Sequence, residues 1–149
     1  MKPKVDKKIV ELLKKALQKE KRVVNALIFG SFANGKKYHT SDIDIAIQTK
    51  ESDDLSLLDL GDLYLELEET TNKKIDLVII NELPFKSPLL AYNIYLNHYP
   101  LFIKDKEMFD TFKLMALHSY LDFEPVIKEQ NIFFKKRIES GTVGKTETA

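Results

Sequence analysis

Apolar positions recur along the chain in two rhythms, and the switches between them mark its elements. Val5, Ile9, Leu12, Leu13 and Leu17 stand three and four apart with lysines between them, which predicts an amphipathic helix over Lys4 to Glu20. Arg22 to Phe29 is a nearly continuous apolar run, the mark of a central strand. Asp42 to Gln48 forms a second such run, with Ile43, Ile45 and Ile47 alternating with other residues. Leu55 to Thr70 is leucine-rich and acidic; residues 63–68 alternate like a strand, but length and Leu/Glu content favour a helix. Lys74 to Asn81 has the β-branched content of a third strand, interrupted by Asp76. Pro84 and Pro88 predict a turn, followed by a helix over Ser87 to Asn97 and a short strand, Leu101 to Ile103.

From Asp105 a long helical tract carries Met108, Phe109, Phe112, Met115, Ala116 and Tyr120 on one face. Pro125 is expected to break or kink it before helical spacing resumes over Val126 to Ile138. Tyr92, Tyr95 and Tyr99 are spaced for one packed helical face. Ser140 to Ala149 is predicted to be a disordered tail, which leaves residues 1–139 as one domain.

Length and composition fit that outline. A chain of 149 residues with 44% hydrophobic content suits one domain around one sizeable core. There is no cysteine, so disulfides, thiol catalysis and thiolate metal sites are excluded. The 23 basic and 23 acidic residues cancel, unlike the balance of a dedicated nucleic-acid binder, so no direct nucleic-acid partner is expected. The basic N-terminus leads into an amphipathic pattern rather than an apolar run, which argues against a signal peptide. No apolar stretch is long enough to span a bilayer, and a cytoplasmic location is the expectation. Charge is unevenly spread, with nine bases against three acids up to Arg22, and eight acids with no base from Glu51 to Glu69. Two solvated helix faces explain this, and so does a docking surface for an oppositely charged partner.

The chemistry concentrates between Gly30 and Asp44. Gly30-Ser31 follows the first apolar run; ten residues later Asp42-Ile43-Asp44 opens the second. A strand feeding a small turn offers backbone N–H groups to an anion, because glycine lets the main chain approach closely. Ser31 suits the N-cap of a short helix over Phe32 to Gly35. Carboxylates two apart on a strand share a face, so Asp42 and Asp44 converge on one point. Convergent hard oxygens suit Mg²⁺, which takes one or two carboxylates plus substrate phosphates. Asp76, alone among the apolar residues of its strand, is either a solvent-facing edge charge or a third member of that site.

Gly-Ser, ten residues, then Asp-x-Asp resembles the signature of the nucleotidyltransferase superfamily with the DNA polymerase β-like fold. Gly30, Ser31, Asp42 and Asp44 match it in full. The short chain and the segments after the motif resemble the minimal nucleotidyltransferases, antitoxin partners of HEPN-domain toxins. The resemblance implies an α/β fold: a short mixed sheet flanked by helices, with an extra C-terminal helical segment. It also implies that Asp42, Asp44 and Asp76 are catalytic and hold two Mg²⁺ ions, with Asp76 able to accept the attacking hydroxyl's proton. Gly30 and Ser31 would hold the phosphates of ATP. Many members carry arginine after the Gly-Ser and before the second glycine, where this chain has Phe32 and Asn34; Lys36 and Lys37 are the nearby candidates for that charge.

The implied activity is transfer of AMP from ATP to a hydroxyl, tyrosine above all, of a HEPN ribonuclease toxin. Two other readings stay open: an antitoxin that masks its toxin without catalysis, and a nucleotidyltransferase acting on a small molecule. Tyr120 to Pro125 resembles a segment late in the family that helps contact the toxin; a helix turn before a proline explains it equally. His39 reads as a surface loop residue within reach of the site, and His98 and His118 as helix-surface or core-edge residues. No His/Asp/Glu spacing suggests zinc.

Overall fold

The computed structural model describes residues 6–30, 42–51 and 54–139, with only the backbone course of 126–139. Helix α1, Lys7–Gln18, starts where the Asp6 carboxylate accepts from the N–H groups of Lys8 and Ile9. Strands β1, Val23–Phe29, and β2, Ile43–Thr49, pair antiparallel. Helix α2, Leu57–Thr71, resolves the helix-or-strand ambiguity of that segment. Ser56 and Asp59 cap its start reciprocally, and Asn72 closes its end in the left-handed conformation, φ 54°. Strand β3, Ile75–Ile79, then joins β2 in parallel.

The proline-marked turn contains a one-turn helix α3, Leu83–Lys86, and then α4, Pro88–Leu96, with Pro88 in its first turn as expected. Strand β4, His98–Ile103, is longer than the Leu101 to Ile103 predicted. It pairs antiparallel with β1 and is the sheet edge among the described residues, a position where Pro100 is tolerated. Tyr99 therefore sits on a strand, not on the helical face with Tyr92 and Tyr95. Helix α5, Lys106–Glu139, runs through Pro125 without breaking. Leu121 and Pro125 are both exposed, so this turn of the helix lies at the surface.

The sheet order is β3-β2-β1-β4, parallel at β2–β3 and antiparallel elsewhere, so the sheet is mixed and helices cover both faces. On one face Leu13 and Leu17 of α1 and Leu63 and Leu67 of α2 pack against Ile43, Ile45, Ile47 and Ile75. On the other, Ala91 and Ile94 of α4 and Phe109, Phe112 and Ala116 of α5 pack against Leu27, Phe29, Ala46 and Ile80. Alternation along β2 and β3 thus assigns Asp44 and Asp76 to the α4/α5 face.

Polar ties fix the layers. Arg22 binds Glu20 (2.7 Å) and Asp59 (2.9 Å), joining the end of α1 to the start of α2. Buried Asn25 donates to Gln48 Oε1 and to the Asp105 carbonyl (both 2.8 Å) and accepts from Asp105 N–H (3.0 Å), anchoring α5 on the sheet. Asn81 exchanges two hydrogen bonds with the backbone of Thr49. Among the described residues no helix is long and apolar enough to cross a membrane.

Candidate active site

Strand pairing assembles the acids. Asp44 lies opposite Asp76 across the parallel β2–β3 pair and opposite Phe29 across β1–β2. Residues opposite one another on neighbouring strands share a face, so Asp44 and Asp76 project together. Asp42, just before β2, has the same parity, and the Ile43 N–H bond to the Lys74 carbonyl (2.9 Å) fixes where the strand begins. β3 is the sheet edge among the described residues, and Asp76 is exposed there on the same face as Asp44.

The electrostatics report that convergence. The Asp44 carboxyl is pushed up to about 6, first by burial, then by the Asp76 charge and a hydrogen bond to Asp76, and finally by Asp42. A hydrogen bond to Asp76 contributes to that shift, and among the described residues no base forms an ion pair with either carboxyl.

Gly30 closes the site from β1. Its φ of +75° lies in the left-handed region, and a Cβ built there would collide with Asp44 Oδ2. Only glycine lets the end of β1 pass this close to the carboxylate. Ser31, Lys36, Lys37 and His39, with the short helix predicted over Phe32 to Gly35, lie outside the described residues, as does the predicted tail, Ser140 to Ala149.

Among the described residues no three carboxylate or imidazole side chains converge tightly enough to hold a cation alone. A Mg²⁺ site that borrows phosphate oxygens from a substrate needs only one or two carboxylates from the protein, and Asp42, Asp44 and Asp76 supply the hard oxygen donors it prefers. Burial raises Asp44 first; the neighbouring charges of Asp76 and Asp42, which add to it, are what a divalent cation would neutralise.

Two neighbours are visible only in the structure. The Tyr64 hydroxyl is pushed up by its hydrogen bond to Glu68 and by burial, and then by the charges of Glu68, Asp76 and Asp42, which places it at the rim of the acid cluster. Gly61, one turn earlier, faces the same side; the i, i+4 spacing of Tyr64 and Glu68 was the available signal. Of the two described histidines, His98 lies two strands from Asp44 in the same cross-strand row, with Phe29 between them. His98 turns Nδ1 to the Ile94 carbonyl (2.8 Å), and His118 pairs at the helix surface with Asp122 (3.9 Å). Tyr92 stacks on Tyr120 of α5 at 3.8 Å, a packing contact between helices.

A family model described as Polymerase beta, Nucleotidyltransferase matches residues 11–107, a span that holds Gly30, Asp42, Asp44 and Asp76. A Methanocaldococcus jannaschii chain named "Putative protein adenylyltransferase" is 43% identical over 72 residues, 48% of this chain and 72% of that one. A second of the same name and organism is 38% identical over 78 residues, 52% of this chain and 87% of that one. The fold is similar to that of a chain in a toxin–antitoxin crystal structure with AMP-PNP, with a TM-score of 0.64 at 18% identity over 87% of this chain and 98% of that one. It is also similar to a chain in a complex of tri-AMPylated Shewanella oneidensis HEPN toxin with MNT antitoxin, with a TM-score of 0.58 at 17% identity over 80% of this chain and 97% of that one.

Proposed function

This chain belongs to the polymerase β nucleotidyltransferase family, and from that premise we propose that it is a Mg²⁺-dependent protein adenylyltransferase acting as an antitoxin. It transfers AMP from ATP to a hydroxyl, tyrosine above all, of a HEPN-family ribonuclease toxin. The observation that carries this reading is the in-register Asp44–Asp76 pair with Gly30 against it. The names of the relatives support adenylyl transfer to protein, and the similar toxin–antitoxin complexes support the partner.

Asp42 and Asp44 would hold two Mg²⁺ ions, with Asp76 on one of them. Bound there, the metal supplies neutralisation of the triphosphate and a lowered pKa for the acceptor hydroxyl. Gly30 N–H and Ser31 hold the β- and γ-phosphates, with Lys36 and Lys37 adding charge from the loop. Asp76, exposed on the outermost strand, meets the acceptor and takes its hydroxyl proton. The acceptor oxygen then bonds to the α-phosphorus, the α–β phosphoanhydride breaks, and pyrophosphate leaves. No covalent enzyme intermediate is required.

Burial and charge repulsion raise Asp44 in the metal-free protein, so loading the site displaces its proton. The exposed apolar side chains Leu114, Leu121 and Phe123 on α5 support docking of a protein partner on the C-terminal helix.

One observation favours a second reading, an antitoxin that only masks its partner: Phe32 and Asn34 stand where many minimal nucleotidyltransferases carry arginine. Co-expression with the HEPN toxin separates the two. Catalysis predicts that Asp42→Asn with Asp44→Asn abolishes protection from the toxin; masking predicts that protection survives.

A further inference from the structure

The outer edge of β3 ends at the candidate catalytic acid and has no strand beside it among the described residues. Ile43 N–H bonds to the Lys74 carbonyl and Ile80 N–H to the Ile47 carbonyl, so even-numbered positions turn their main-chain groups toward β2. Leu77 and Ile79 therefore turn theirs outward, while the Ile75 N–H is taken by Glu68 Oε1 at 3.4 Å. Beside this edge runs a groove of about 530 Å³, walled by Leu57, Leu60, Gly61 and Tyr64 of α2 and reaching Asp76.

Gly61 marks the groove as more than a gap in packing. Glycine inside a helix is disfavoured relative to alanine. Yet a Cβ built on Gly61 meets no described atom within 4 Å, so nothing described within this chain requires it. Glycine at that position leaves room for something from outside. Leu57, which lines the groove, is 87% exposed.

We infer that this edge and groove bind the acceptor protein through an extended segment that adds to β3 as a strand. The inference rests on the protein-acceptor reading above and specifies how the acceptor is presented. Strand addition sets the geometry. A residue opposite Asp76 shares its face about 5 Å away, extending the row Asp44, Asp76, hydroxyl. Its two sequence neighbours point to the other face, toward the apolar groove of α2. Main-chain pairing is indifferent to sequence, so selectivity comes from those flanking side chains. Asp76 lines the groove, and the Glu68 carboxylate lies at the same edge, bonded to the Ile75 N–H and the Tyr64 hydroxyl. Two acids at this edge favour a segment with basic residues near its hydroxyl.

Gly61→Phe tests this, with a HEPN-family toxin as the probe. The variant fills the groove mouth in open space, and a thermal midpoint no lower than wild type verifies its fold. Toxin binding, read by direct titration without nucleotide, is expected to weaken at least tenfold. NMR hydrogen exchange of the wild-type protein supplies a reading independent of any substitution: the Leu77 and Ile79 amides become protected when toxin is added. Unchanged toxin affinity in folded Gly61→Phe, or unprotected Leu77 and Ile79 amides in the complex, overturns the inference while leaving adenylyl transfer intact. Weakened binding and protected amides in a protein that labels no toxin keep the groove and overturn the transfer reading.

Discussion

Asp44 and Asp76 face each other in register across the parallel pairing of β2 and β3, close enough to share a hydrogen bond. Two acids in that relation are poorly arranged for stability. The proposed cation site would relieve their repulsion, and the cost of placing them together can be measured.

Asp44 releases its proton at about 6 in the folded protein against 3.8 ordinarily. Between those values the folded state holds a proton that the unfolded chain has lost. Its stability contribution therefore falls as pH rises through that window and is level above it. Asn in place of Asp44 imitates the protonated form. The metal-free Asp44→Asn protein should match wild type near pH 4 and exceed its thermal midpoint above pH 7. Discounting for solvent around this half-buried group, the gain is about 1 kcal/mol, or about 2–4 °C. Thermal melts of both proteins across that range check the sign.

A ligand that binds only the folded state raises its midpoint by mass action. Mg²⁺ with a non-hydrolysable ATP analogue should stabilise wild type by about 2–3 kcal/mol at a hundredfold excess over the dissociation constant. Removing the metal with a chelator should reverse the shift, and Asp44→Asn should show little of it. Calorimetric melts with and without chelator make the comparison.

The two described glycines of this region should respond oppositely to alanine. Gly30→Ala forces a Cβ into Asp44 Oδ2 at positive φ and should lower both stability and transfer, by about 1–3 kcal/mol in stability. Gly61→Ala enters open space within a helix and should stabilise the isolated protein by about 1 kcal/mol. Urea denaturation of the two variants reads both signs.

Asn25→Ala leaves the Asp105 backbone and Gln48 without their partner in a buried setting. Unsatisfied buried groups of this kind destabilise by about 1–3 kcal/mol each. A loss in the upper part of that range, with the nucleotide-dependent stabilisation retained, is expected from urea titrations with and without Mg²⁺ and the analogue.

Much of this architecture is legible in the chain because its strands are apolar and its acids interrupt them. Asp42, Asp44 and Asp76 stand out where Ile43, Ile45, Ile75 and Leu77 alternate around them. Period two alone puts Asp42 and Asp44 on one face; which residue of β3 lies beside them depends on strand register, which only the folded sheet sets. Asn25 was equally visible as the lone amide in its strand, but its partners lie 23 and 80 residues away. Tyr99 misled because the i+3 and i+4 rhythm continues past the end of α4, into a strand that begins at His98. Pro125 does not interrupt α5, which runs on to Glu139, so the expected break is absent. Gly61 carries no local pattern at all; its meaning comes from the empty space above it.

The central claim is that the three aspartates transfer a nucleotide to a protein. Its most direct test incubates the protein with Mg²⁺, each α-labelled nucleoside triphosphate and the HEPN toxin, beside the Asp42→Asn, Asp44→Asn double variant. The account predicts label on the toxin from ATP, lost by roughly a thousandfold or more in the variant. Equal label with both proteins, or no label from any nucleotide while both bind the toxin tightly, would contradict it.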